Sequence, residues 1–153
     1  MTEKPTEFPM LGWREWVSLP GLGIAQIKAK IDTGARSSAL HVETLEPYQI
    51  GGEKWLMFTV LPTQKRDDLL IECHAAVKDR RLVSDSGGHK QFRYVIETQL
   101  NFGANHKIQA EITLTNRDSM RFRMLLGRTA MNSHFIIDPN ASYLQGKPEP
   151  ENT

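Results

Sequence analysis

The stretch that decides the fold is Ala25-Gln26-Ile27-Lys28-Ala29-Lys30-Ile31-Asp32-Thr33-Gly34-Ala35. Ala25, Ile27, Ala29 and Ile31 alternate with Gln26, Lys28 and Lys30, the period of a strand with one buried face. The strand runs straight into an acid, a small hydroxyl residue and a glycine. Asp-Thr-Gly alone is a serviceable turn, since Asp starts turns and Gly relieves them. Its surroundings set this one apart. An alternating strand precedes it, a small Ala35 follows it, and Met124-Leu125-Leu126-Gly127-Arg128 stands far downstream.

Working outward, the chain continues to read as β. Ile108, Ala110, Ile112 and Leu114 alternate with Gln109, Glu111 and Thr113, and Leu69 to Ala75 does so less cleanly. Trp55 to Leu61 and Phe92 to Leu100 carry aromatic and β-branched residues. Gly51-Gly52, Pro62, Gly87-Gly88, Asn101 to Asn105 and Asn116 to Ser119 separate them as turns. Short strands at this spacing predict an all-β sandwich or barrel. One short helix is expected at about 128–134, between Leu125-Leu126-Gly127 and a strand at Phe135-Ile136-Ile137.

Composition bounds the rest. A chain of 153 residues suits one domain. Pro-rich polar stretches predict flexible tails at 1–10 and 145–153 around a domain at 11–144. Lys+Arg is 19 and Asp+Glu is 18, so no general nucleic-acid or membrane-surface field is indicated. The single Cys73 excludes an internal disulfide framework. With no apolar span and no leader signature, a cytoplasmic protein is expected.

The chemistry legible in the central motif is that of an aspartic peptidase. Asp32 would sit on a tight loop at a strand end. Gly34 would let backbone approach the carboxylate and permit φ > 0. The Thr33 hydroxyl would lock the loop, and Ala35 would fit a crowded cleft floor. Asp85-Ser86-Gly87 is a second string of the same type, but no alternating strand precedes it. Metal and nucleotide sites find no support, and no cofactor is expected. His-Glu-x-x-His, Cys-x-x-Cys and a phosphate loop are all missing from the sequence. Cys73 and His74 are neighbours on a strand and would face opposite ways.

Several segments together resemble one bacterial family. They are Gly12-Trp13-Arg14-Glu15-Trp16, Leu19-Pro20, Lys30 to Leu40, Arg93-Tyr94-Val95-Ile96 and Met124 to Arg128. That family is labelled ATP-dependent zinc protease, is described as retropepsin-like, and occurs alongside ATP-grasp glutamate ligases. The resemblance implies a closed acid-protease barrel with Asp32, Thr33 and Gly34 as the catalytic loop. It implies a homodimer that pairs two copies of Asp32, a peptide or protein substrate, and an ATP-grasp glutamate ligase as partner. It also implies a flap hairpin, for which Val77 to Val95 is the candidate, with Ser86-Gly87-Gly88-His89 at its tip. Ala35, Arg36, Ser86, Gly87, Gly88 and Arg128 would then bind substrate.

One position departs from the retropepsin pattern. An acid often follows Asp-Thr-Gly-Ala there and pairs with the Arg after the downstream Gly. Here that position is Arg36. One guanidinium would take an acid elsewhere, with Glu43, Glu15 and Asp138 as candidates. The other would face the cleft and, with Arg128 or a flap cation such as Arg81, bind a substrate carboxylate. A surface salt bridge is the plainer alternative for Arg36. The expected activity is endopeptidase cleavage of acidic or glutamate-rich substrates; the alternative is a non-catalytic peptide-binding or regulatory module of a glutamate-ligase system.

Overall fold

In a computed structural model, which describes residues 8–63, 69–84, 87–116 and 122–147, the alternating segments become strands. In chain order they are β1 (Met10–Leu11), β2 (Arg14–Leu19), β3 (Ile24–Ile31), β4 (Ser38–His41), β5 (Thr44–Ile50) and β6 (Glu53–Val60). Then come β7 (Ile71–Ala76), β8 (Asp79–Ser84), β9 (Lys90–Phe102), β10 (His106–Thr115), β11 (Met124–Leu126) and β12 (Ile136–Ile137). Among the described residues the one α-helix is α1 (Arg128–Met131), a single turn where the sequence predicts two. Ser133, at φ 66°, turns the chain out of helical geometry.

Strand order closes a barrel. β10, β4, β11, β3, β2 and β9 lie side by side in that order, and β9 pairs back onto β10. The result is a closed six-stranded barrel of the retropepsin-like type. β8 lies outside the ring, paired only to β9. β5, β6 and β7 form a second, three-stranded sheet. Pro47 is tolerated within β5 because β5 is an edge of that sheet.

Both sheets bury their apolar faces in one core. Ile27, Leu40, Ile96, Leu100 and Ile112 of the barrel join Leu56, Phe58 and Cys73 of the second sheet. Phe58 and Phe102 are fully buried, each contributing roughly 2–3 kcal/mol by removal from water. Burial also pushes the Cys73 thiol up to about 12, so it is a packing residue with an inert thiol. Among the described residues no helix is long and apolar enough to cross a membrane.

Glu15 is the one strand acid on the inner face, and it is completely buried. Its carboxylate accepts three backbone N–H bonds: Gly12 at 2.7 Å, Leu144 at 2.9 Å and Gln145 at 3.1 Å. A buried anion persists only when its oxygens are satisfied, and these donors satisfy them. Near it, Met10 pairs with Ile136, and Gln145 Nε2 donates to Met10 O at 2.8 Å. Residues 10 and 145, which composition places in the tails, are therefore built into the fold.

β8 and the first half of β9 form a hairpin in register from Asp79↔Val95 to Ser84↔Lys90. An ion-pair network roots it on the barrel. Glu111 of β10 takes Arg81 Nη1 at 2.8 Å and Lys78 Nζ at 3.0 Å. Arg81 Nε also reaches Asp79 at 2.7 Å, and Lys78 reaches Glu97. Hydrogen bonds from Arg81, then Lys78, hold the Glu111 carboxyl down at about 2.

Two measurements check these points. Glu15→Gln turns one acceptor oxygen into a donor facing an N–H group. We expect it to lower urea-unfolding stability by about 1.5–3 kcal/mol, and a loss below about 0.5 kcal/mol would refute the assigned role. For Glu111, the folded-state pKa lies below the ordinary 4.5. Its contribution is therefore present above that value and lost as pH falls toward about 2. The advantage of the wild type over Glu111→Gln should be at most about 1 kcal/mol at neutral pH, because solvent screens the pair. It should vanish at the acid end of a pH series of denaturation curves.

Candidate active site

β3 delivers Asp32 to the mouth of the barrel, and backbone bonds fix the loop there. The Asp32 N–H donates to Leu126 O at 2.9 Å, extending the parallel β3–β11 ladder by one residue. The Asp32 carboxylate accepts the Gly34 N–H at 3.0 Å, and the Ala35 N–H donates to Asp32 O at 3.2 Å. A Cβ on Gly34 would stand 3.3 Å from the same carboxylate oxygen, a tight contact that glycine avoids. Gly34 does not adopt the positive φ that the sequence suggested it might need. The lock is also not the expected one. Among the described residues the Thr33 hydroxyl makes no hydrogen bond, and its carbonyl is used instead.

The downstream Leu-Leu-Gly-Arg segment is the clamp. Leu126 is buried and Leu125 reaches the cleft. Gly127 lies against the backbone after the catalytic loop. A Cβ there would meet Ser37 O at 2.5 Å and Arg36 O at 2.8 Å, contacts no side chain can make. Its N–H takes the Ser38 hydroxyl at 3.0 Å. The Arg128 guanidinium donates from Nη1 to Thr33 O at 3.1 Å and Gly34 O at 3.2 Å. The Arg128 N–H reaches Ala35 O at 2.8 Å, and Thr129 binds Arg36 O through both N–H and hydroxyl.

The loop opens into a cleft of about 1080 Å³. Asp32, Gly34, Ala35 and Arg36 form one wall, and Arg81, Val83 and Ser84 of the β8–β9 hairpin form another. Arg81, Val83, Arg93 and Val95 share one face of the hairpin, and Leu82 and Ser84 from the alternate positions also border the cleft. The hairpin thus stands where the expected flap should. Gly88, at φ 81°, is in its turn region, while Gly87 and Gly88 are not among the residues lining the cleft. Ser86, like Asp85, lies outside the described residues.

The cations sort differently from the sequence expectation. The Arg128 guanidinium is engaged on the Asp32 loop, where it donates to two converging carbonyls. Arg81 is committed to Glu111 and Asp79. None of the three acids proposed as an arginine partner serves Arg36 or Arg128. Glu43 pairs with His41 and Arg123, Glu15 is satisfied by backbone, and Asp138 accepts the Asn140 N–H. Arg36 is exposed at the cleft wall and makes no ion pair among the described residues. Sequence reasoning missed Glu111 and Thr113 as cleft residues. Their signal was present as the polar face of β10, which borders the cleft.

Comparison with known proteins agrees with this geometry. The family model for RimB-like proteins, described as retropepsin-like aspartic endopeptidase RimB, matches residues 10–148. A probable alpha-L-glutamate ligase of Shewanella pealeana is 41% identical over 138 residues, covering 90% of this chain and 30% of that protein. A protein of the same name from Parasynechococcus marenigrum is 42% identical over 137 residues, with 90% and 29% covered. The chain therefore spans about 30% of the length of the curated relatives it matches. A crystal structure of a Legionella pneumophila protein of unknown function superposes with a TM-score of 0.72 at 25% identity, covering 90% of this chain and 98% of that one. By sequence and by fold, the chain belongs to the RimB-like family of retropepsin-like aspartic endopeptidases.

Proposed function

We propose that the protein is an aspartic endopeptidase whose active site forms across a homodimer, each copy giving one Asp32. The observation that carries this reading is the backbone-clamped Asp32 carboxylate at the mouth of a hairpin-covered cleft. Two carboxylates about 3 Å apart share one proton, because both cannot ionise readily at that distance. The ionised member takes a proton from water, and the water oxygen bonds to the scissile carbonyl carbon. The protonated member gives its proton to the carbonyl oxygen. Collapse of the resulting gem-diol breaks the C–N bond as a proton passes to the leaving nitrogen. No acyl-enzyme forms. The pair titrates as a unit.

For the substrate class, Arg36 supports an acidic or glutamate-rich peptide, since its guanidinium stands at the cleft without a carboxylate partner among the described residues. A second reading is a non-catalytic peptide-binding or regulatory module of a glutamate-ligase system. It is favoured by the names of the relatives, whose matching segment is a minority of their length. In either reading an ATP-grasp glutamate ligase is the proposed partner and the cytoplasm the proposed location.

Asp32→Asn should abolish peptide hydrolysis, by about 1,000-fold or more, while leaving the fold intact. Excess Asp32→Asn protein mixed with wild type should suppress wild-type turnover by forming mixed dimers. Specific activity that is independent of concentration and unaffected by the variant would sink the shared dyad. Arg36→Ala should lower kcat/KM about 10-fold or more for peptides with a carboxylate near the scissile bond, and little for neutral ones. An equal effect on both would remove the acidic-substrate assignment.

A further inference from the structure

The outer face of β2 and β3 carries positive charge that takes no carboxylate partner among the described residues. β2 and β3 pair with Arg14 opposite Lys30 and Trp16 opposite Lys28. Their inward neighbours Glu15, Val17, Ile27 and Ala29 are buried, so these four side chains share the outer face. Lys147 joins them from the C-terminal segment. Among the described residues none of Arg14, Lys28, Lys30 and Lys147 pairs with a carboxylate. Like charges directly opposite across a ladder cost stability, and Arg14 against Lys30 is such a pair. Lys78 and Arg81, by contrast, are fully matched with acids. The near-zero net charge of the chain thus coexists with four cations on this face that have no carboxylate partner among the described residues.

Aromatic rings hold three of these cations, Arg14, Lys28 and Lys147, in place. The Arg14 guanidinium lies 4.5 Å from the Trp13 ring centroid and 4.9 Å from that of Tyr143. Lys28 Nζ and Lys147 Nζ lie 5.1 and 5.0 Å from the Trp16 centroid, and Tyr143 stacks on Trp16 at 5.9 Å. Rings already covered by cations offer little to a nucleic-acid base, which favours carboxylates over bases as the ligand. Cation–π contact uses the flat face of a guanidinium and leaves its in-plane N–H groups for hydrogen bonds, of which Arg14 Nε gives one to Ser142 Oγ at 3.2 Å. Lys28 and Lys30 are two residues apart on a strand, about 6.7 Å. That is the repeat of alternate side chains in an extended peptide.

We infer that this face docks an extended, acidic segment of a protein, with alternate carboxylates on Lys28 and Lys30 and another on Arg14. It lies outside the residues lining the Asp32 cleft and so adds a second contact surface, independent of bond cleavage.

The test uses the full chain carrying Asp32→Asn, so that no bond is cut. The probe is a short fluorescein-labelled peptide of alternating Glu and Thr, with its Gln-for-Glu counterpart, read by fluorescence anisotropy. The acidic peptide should bind. Lys28→Glu/Lys30→Glu should weaken it about 10-fold or more, and the milder Lys28→Gln/Lys30→Gln less. Lys54→Glu/Lys107→Glu, the same change of net charge elsewhere, should leave it nearly unchanged. Equal binding of the Gln peptide, equal loss in the Lys54/Lys107 control, or tighter binding of a single-stranded RNA oligonucleotide would each overturn the inference. Thermal melting checks that every variant is folded. A failure of the peptidase reading leaves this measurement standing, because it reads binding alone.

Discussion

The parallel pairing of β11 with β3 is the constraint on which the rest of the site depends. Its register, Met124↔Ala29 through Leu126↔Ile31, brings a glycine and an arginine behind the loop that holds Asp32. Backbone bonds and side-chain bonds from Arg128 and Thr129 fix the loop together, so its geometry depends both on the ladder and on those residues. A slip of one residue would exchange the cleft-facing Leu125 with the buried Leu126. It would also move Gly127 from the one place where its missing Cβ matters. The Asp32 carboxylate is thus placed by bonds from its own loop and from β11, the preorganisation that the proposed peptidase would need to position a water and a carbonyl.

Charge on this chain is divided by task. Glu15 is buried and spends its lone pairs on the chain ends. Arg128 spends its guanidinium on carbonyls of the catalytic loop. Lys78, Arg81, Glu97 and Glu111 bind one another at the root of the hairpin. Arg36 at the cleft wall and the row on β2 and β3 take no ion pair among the described residues. They lie on different surfaces of the same small barrel. The near-neutral total says nothing about either.

The strands at 24–31 and 106–115 were legible because one face of each is buried and period two survives in the sequence. Asp32, Gly34 and Gly127 were legible as residue types whose size or charge fits one position. Other features depend on contacts that no local window contains. Glu15 sits on an inward strand position where an acid looks like an error, until the N–H groups of Leu144 and Gln145 arrive from the far end of the chain. Arg128 read as a substrate ligand because its targets are carbonyls, which carry no residue-specific signal. The second turn of the helix after Arg128 was overread, since Ser133 gives no warning of a positive φ. The short β4 was missed for another reason. It is buried throughout, so it shows no alternation at all.

The Glu15 carboxylate ties Gly12 to Leu144 and Gln145, and Gln145 returns a bond to Met10. The first and last strand-flanking segments among the described residues therefore meet at one place on the barrel. A unit of that kind can be spliced into a surface loop or appended to another enzyme with little disturbance to either body. Gene fusion and gene separation become nearly equivalent for such a module, and one architecture can give way to the other without redesign of the barrel.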